Sequence, residues 1–318
     1  MTFLDPDLAF FLTFAGLYML LALGLNLQWG YGGLFNLGVA GFWAMGAYGF
    51  VWLSSRHADP SLAYPGHWGH GLPIPVGILG AIALTTVFAV AVAYPALRLR
   101  ADYLAIVTIG FSEIFRRFLV NEQSITGGVH GVGPIGPIPR PFPDLRAAEA
   151  EVYMMLVVVG LFLVLLVLAQ YLSRSPWGRS LRAVRDDEAA AQALGKDAFR
   201  LKLSAFAMGA SFMGLAGALY ALFTRFIEPV SKFTPVDTFF VATAVILGGL
   251  GNHRGAALGA FALWGVTYGL LRFKDQLPDF LQPKIDFVRL ALIGVFLIVV
   301  VLWRPSGILP EERVVSRT

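Results

Sequence analysis

The sequence predicts an all-α, polytopic integral membrane protein with about eight to ten transmembrane helices. Three observations predict it: 57% of residues are hydrophobic, only 14% are charged, and apolar runs long enough to cross a bilayer recur along the chain. A soluble fold of 318 residues has no interior large enough for that much apolar surface, so lipid is its natural solvent. Mean hydropathy, at +0.70, agrees.

A helix needs about 20 mostly apolar residues to cross the hydrocarbon, because each adds about 1.5 Å and every backbone polar group must be satisfied within the segment. Residues 8–27, 35–53, 74–97, 101–120, 151–172, 203–223, 237–250, 254–271 and 287–303 meet that test or approach it. The seventh and eighth are short and nearly contiguous, which suits a broken or re-entrant element lined by protein. The chain 1–318 therefore reads as one membrane domain. Its start, residues 1–7, has two aspartates and no Lys or Arg, so the first apolar run reads as a retained helix and not as a cleaved signal.

Orientation follows from the basic stretch 173–202, with Arg174, Arg179, Arg182, Arg185, Lys196, Arg200 and Lys202. The positive-inside rule places it in the cytoplasm, and counting spans puts the N-terminus outside and the C-terminal tail, with Arg313 and Arg317, inside. The same count puts the Gly/Pro-rich connection 121–150 outside, where Pro139, Pro141 and Pro143 forbid a regular helix. It is either an ordered cap or a docking and gating surface for an external partner.

Several chemistries lack their residues. A formal charge of +4 is too small and dispersed for nucleic-acid binding, and with no cysteine there is no disulfide or thiolate chemistry. Gly195-Lys196 is followed by Asp197, which breaks the P-loop pattern. His57, His67, His70, His130 and His253 have no zincin spacing, and no Gly-x-Ser-x-Gly elbow occurs. Neither an enzyme nor a metal site is expected.

The informative segment is 175–195. Ser175 can cap a helix that Pro176 begins, and Gly195 suits the left-handed residue closing it, so one short amphipathic helix is expected outside the membrane. Its arginines precede its acids, which opposes the helix dipole and invites a partner as explanation. The candidate partner-binding residues are Arg179, Leu181, Arg182, Val184, Arg185, Asp186, Asp187, Glu188, Leu194 and Gly195.

Charge inside the spans is scarce. Glu113 can pair with Arg117 one turn on, or face a solute path. Asn26, Gln28 and Asn36 flank the glycines between the first two spans and either bond between helices or line that path. Gly251, Gly255 and Gly259 repeat every four residues, followed by Gly265 and Gly269, a spacing that lets helix backbones approach closely. Asn252, His253 and Arg254 interrupt the apolar run as a turn that begins a helix.

Several runs resemble the branched-chain amino acid ABC permeases of the LivH and LivM type, and LivM more closely. They are Gly33-Leu34-Phe35-Asn36-Leu37-Gly38 and its continuation to Tyr48, Asp102-Tyr103-Leu104-Ala105-Ile106 and its continuation to Ile114, and Thr126-Gly127-Gly128. The segment 178–195, Gly248-Gly249-Leu250-Gly251 and Arg304-Pro305-Ser306-Gly307-Ile308-Leu309 complete the set. Two departures stand out: Glu188-Ala189-Ala190 reaches Gly195 after four residues instead of three, and Ala256 replaces the usual proline after Gly255.

The resemblance implies a type II ABC-importer-like permease of a prokaryotic inner membrane, serving branched-chain or related amino acids, with urea and short amides as alternative cargo. It implies a second homologous permease, two cytoplasmic ATPase subunits that hold ATP and Mg, and an external solute-binding protein; this chain would bind no cofactor of its own. It also makes 179–195 a coupling helix, at which charge reversal of Arg182 and Arg185 is expected to uncouple transport. An ion-coupled secondary transporter is the competing reading, and would need more buried acids at mid-span than this chain has.

Overall fold

A computed structural model of the chain describes residues 5–55, 69–98, 101–133, 135, 147–276, 282–304 and 306–311. Pro139, Pro141, Pro143, His57, His67, Arg313 and Arg317 lie outside these. Among the described residues, each of the nine expected segments coincides with a helix. They are α1 (Pro6–Asn26), α2 (Val39–Ser54), α3 (Ile74–Ala96), α4 (Ala101–Asn121), α6 (Ala147–Arg174), α9 (Ala198–Thr224), α10 (Pro235–Gly248), α11 (His253–Arg272) and α12 (Ile285–Trp303). Short helices α5 (Gln123–Thr126), α7 (Pro176–Asp186) and α8 (Glu188–Ala193) lie between them. The protein is an all-α, multi-pass membrane protein.

Four stretches, Pro6–Tyr31, Ile74–Ala96, Glu149–Arg174 and Ala198–Thr224, are long and apolar enough to cross a membrane unaided. Two of them, on α1 and α9, are apolar all round and buried, so they form the bundle's axis with α2. Their contact is backbone on backbone: a Cβ on Gly46 of α2 would stand 2.2 Å from the Gly214 carbonyl of α9. Small residues are what permit so close an approach. Outside this axis α3, α6 and α12 turn Val87, Val167 and Ile298 outward. Such an apolar exterior would aggregate in water and is at home in acyl chains.

Two helices begin inside the bundle instead of at its end. After α1 the chain makes a π-helical turn, Leu27–Tyr31, and residues 32–38 run back inward. Leu37 N–H donates to Thr108 Oγ1 in the second turn of α4 at 3.0 Å, and α2 starts there. Ala40 N–H donates to Thr238 Oγ1 at 3.0 Å, which fixes the first turn of α10 beside that of α2. At 14 residues, α10 is about 21 Å long, too short to cross alone. Residues 225–234 must therefore descend from the end of α9 to meet it. The expected broken or re-entrant pair, 237–250 and 254–271, is the α10–α11 hairpin, with α10 its short member.

The hairpin also corrects the glycine repeat. On α11 a Cβ at Gly259 would lie 2.0 Å from the Ala244 carbonyl, and one at Gly255 2.4 Å from that of Gly248, so these two pack against α10 as expected. Gly251 does not join them; it sits in the turn before α11 at φ 77°, against the Glu311 side chain. Gly265 and Gly269 face open space. Asn252 begins α11 as its N-cap, accepting from Arg254 and Gly255 N–H.

The segment 175–195 folds as two helices, a second correction. Ser175 caps α7 and Gly195, at φ 77°, closes α8, both as expected. Between them Asp187 is extended (φ −153°, ψ 102°) and accepts the Ala190 N–H at 2.9 Å as the N-cap of α8. The break eases the apparent conflict with the dipole. Arg185 falls in the last turn of α7, and Asp187 and Glu188 at the start of α8, where each charge is favoured. Arg185, Asp187 and Glu188 thus serve their own helices, while Arg179 and Asp186 stand near the ends of α7 that disfavour them.

Candidate functional site

The bundle has two ends, and α7–α8 define one of them. α7 is amphipathic: Leu181 (0% exposed) and Val184 (2%) are buried in the chain, each contributing about 1.5–3 kcal/mol by leaving water. This corrects their expected role, because they attach the segment to the body and offer nothing to a partner. Arg182 also turns inward, donating to the Ser173 carbonyl at 3.1 Å and lying 5.7 Å over the Tyr31 ring. The exposed residues are Arg179, Asp186, Asp187, Glu188 and Gly195, with Leu194 at 82%.

Arg185 joins four segments. Its guanidinium donates to the Gly30 carbonyl in the π turn, pairs with Glu311 of the C-terminal tail at 3.0 Å and with Asp186 at 3.0 Å, and its stem lies against Gly33. Burial works against its charge, but the bonds to Glu311 and Asp186 outweigh burial and raise its pKa above the ordinary arginine value. The tail is itself held on the hairpin. Ile308 and Leu309 N–H donate to the Leu247 and Gly248 carbonyls at 2.9 Å, and the Asn252 amide donates to the Pro310 carbonyl at 3.0 Å.

Beyond Arg185 lies a buried polar junction. Asn26, fully buried, accepts the Gly251 N–H at 3.0 Å and donates to His253 Nδ1 at 3.1 Å. That assigns the ring proton to Nε2, which faces Ser173 Oγ of α6 at 3.0 Å. Tyr31 stacks on the His253 ring at 4.5 Å. Gln28 donates to the Phe206 carbonyl and accepts from Asn36, which in turn accepts the Gly38 N–H, all at 2.7 Å. The three amides bond between segments in this conformation. His253 was not singled out as a site residue; its place two residues after Gly251 is the signal that could have found it.

The opposite end is rich in aromatic side chains. The descending segment 225–234 pairs with the Gly-rich stretch after α4: Val132 N–H donates to the Ile227 carbonyl at 2.8 Å, and the Val132 carbonyl accepts the Ile227 N–H at 3.0 Å. The described part of the 121–150 connection is thus an ordered cap. Glu113 accepts from Arg116 at 2.8 Å and from Arg117 at 3.0 Å, and Arg116 reaches the Pro229 carbonyl at 3.3 Å. The expected local ion pair forms, with Arg116 added, and it anchors this segment. Arg225 and Phe233 take left-handed φ angles of 59° and 61°, each costing about 1–2 kcal/mol for a residue with a Cβ. Beside Phe233 a cavity of about 560 Å³ opens between α1, α10, α11 and α12.

A family model described as the branched-chain amino acid transport system permease component matches residues 8–301. The chain is 36% identical to the high-affinity branched-chain amino acid transport system permease protein LivM of Escherichia coli, over 95% of this chain and 69% of that one. It is 29% identical to the probable branched-chain amino acid transport permease protein LivM of Methanocaldococcus jannaschii (95% and 92%). To the permease protein LivH of Salmonella typhimurium it is 28% identical (95% and 94%). No solved structure gives a significant match.

Proposed function

The chain belongs to the family of branched-chain amino acid transport system permease components, and we propose that it is one of two permease subunits lining the import path of an ABC transporter for these amino acids. Its partners in this reading are a homologous second permease, two ATPase subunits that bind ATP and Mg and carry out hydrolysis, and an external solute-binding protein. The similarity to both LivM and LivH, which differ from each other, supports a paired permease. The basic residues of 173–202 support a prokaryotic inner-membrane placement with α7–α8 and the C-terminal tail in the cytosol and the N-terminus outside.

One observation carries the mechanism: α7 is packed to the body by Leu181, Val184 and Arg185, while Leu194, at the end of α8, is 82% exposed outside the bundle. A large apolar side chain so exposed on a polar segment suits a partner surface. In this reading an ATPase subunit grips the outer face of α7–α8, including Arg179, Asp186 and Leu194. ATP binding moves that face, and Arg185 passes the movement to the π turn after α1 and to the tail on the α10–α11 turn. Both turns lead directly into the half-length helices, so the path reopens on the other side.

ATP-driven uptake of radiolabelled leucine tests this, in proteoliposomes holding the two permeases and two ATPases with the binding protein outside. Uptake should require ATP and be competed by isoleucine and valine. Competition by urea alone, or uptake driven by an ion gradient without the ATPases, would contradict it.

A further inference from the structure

Phe233 sits in an aromatic box toward the end opposite α7–α8. Its ring is 4.9 Å from that of Trp43, 6.2 Å from Tyr48 and 5.9 Å from Tyr220, and it is 1% exposed. Two walls of this box carry hydrogen-bond donors that find no acceptor: Trp43 Nε1 and Tyr48 OH are buried without a partner. Buried donors are nearly always satisfied, and two left open around one strained residue need an explanation. Ordinary core packing supplies none, since phenylalanines at positions 43 and 48 would fill a purely apolar box without orphaned groups.

The box also has an entrance. Lys232 and Thr234, on either side of Phe233 in sequence, line the adjoining cavity together with Tyr18, Asp237, Trp264 and Arg289. Tyr18 borders both spaces, 6.0 Å from Trp43 and 5.3 Å from Trp264. Withdrawal of Phe233 would therefore join box and cavity. The cavity carries Lys232, Arg289 and Asp237 at its polar side; Asp237 accepts from Thr234 N–H at 2.9 Å and Thr234 Oγ1 at 3.0 Å, and nearby Glu228 accepts from Val230 N–H at 2.9 Å.

We infer that the box is a solute site on the import path, held closed by Phe233 as a plug, and that its ligand is an α-amino acid with a branched apolar side chain. The apolar side chain takes the place of the Phe233 ring against Trp43 and Tyr220. The carboxylate accepts from Trp43 N–H and Tyr48 O–H, and the ammonium faces Glu228 and Asp237. This assignment rests on the permease reading above and locates its site.

The test uses the complete transporter in proteoliposomes, with leucine uptake measured below saturation and thermal unfolding of the permease pair followed alongside. Tyr48→Phe, which removes an orphaned donor and almost no volume, should lower initial uptake several-fold while the melting temperature holds or rises. Phe233→Gly, which suits the left-handed angle and removes the plug, should raise uptake without the binding protein several-fold. Wild-type uptake in Tyr48→Phe overturns the site, as does a loss of uptake that follows a loss of melting temperature, or an unchanged basal rate in Phe233→Gly. In any of these cases a working wild type leaves the permease reading standing; a wild type that imports no leucine removes both.

Discussion

The two ends of this bundle solve the problem of polar groups in lipid in opposite ways. At the end that carries α7–α8, the side chains of Asn26, Gln28, Asn36, His253 and Arg185 are matched to partners on other segments. Around Phe233, Trp43 and Tyr48 keep buried donors without acceptors, and the backbone is left-handed. Satisfied polar networks specify one arrangement, whereas unsatisfied groups store free energy that another arrangement can release. The first end is built to transmit a displacement without yielding, and the second is built to change state.

This contrast can be broken by substitution, most severely at Arg185. Arg185→Glu sets a second carboxylate against Glu311 and orphans the Gly30 carbonyl, which should cost about 3–5 kcal/mol and abolish ATP-driven uptake. Thermal unfolding of the purified permease pair measures the first effect. Arg182 and Arg185 thus matter for holding the lever to its own chain, a different reason from the partner contact expected of the sequence. Asn26→Leu comes next: it leaves the Gly251 N–H without its acceptor and should cost about 2–3 kcal/mol by the same measurement. At the aromatic end Tyr48→Phe removes a hydroxyl that nothing accepts, so stability should stay level or rise by up to about 1 kcal/mol. A loss at Tyr48 as large as that at Asn26 would erase the distinction between the ends.

The helices were legible because lipid imposes a simple rule: a span must be apolar and long, and all nine expected segments are helices among the described residues. The caps at Ser175 and Gly195 were equally legible, since capping depends on neighbours in sequence. What could not be read was which side of a segment faces its own chain. Leu181 and Leu194 look alike in sequence, yet one is buried and the other exposed. The break at Asp187 was readable in principle, an Asp three residues before Ala190 whose N–H it caps, but the helix was drawn through it because every flanking residue tolerates a helix. The box around Phe233 joins α2, α9 and the descending segment, a long-range meeting that no local pattern announces.

Because the chain has no cysteine, Leu194→Cys introduces a single thiol at an exposed point of the lever. Its labelling by a membrane-impermeant maleimide, in intact cells and in inside-out vesicles, reads both its side of the membrane and its cover. The predicted result is labelling only in inside-out vesicles stripped of the ATPases, and protection when the ATPase subunits are restored. Labelling from outside intact cells, or labelling in vesicles that the ATPases leave unchanged, would contradict a cytosolic lever gripped by a motor.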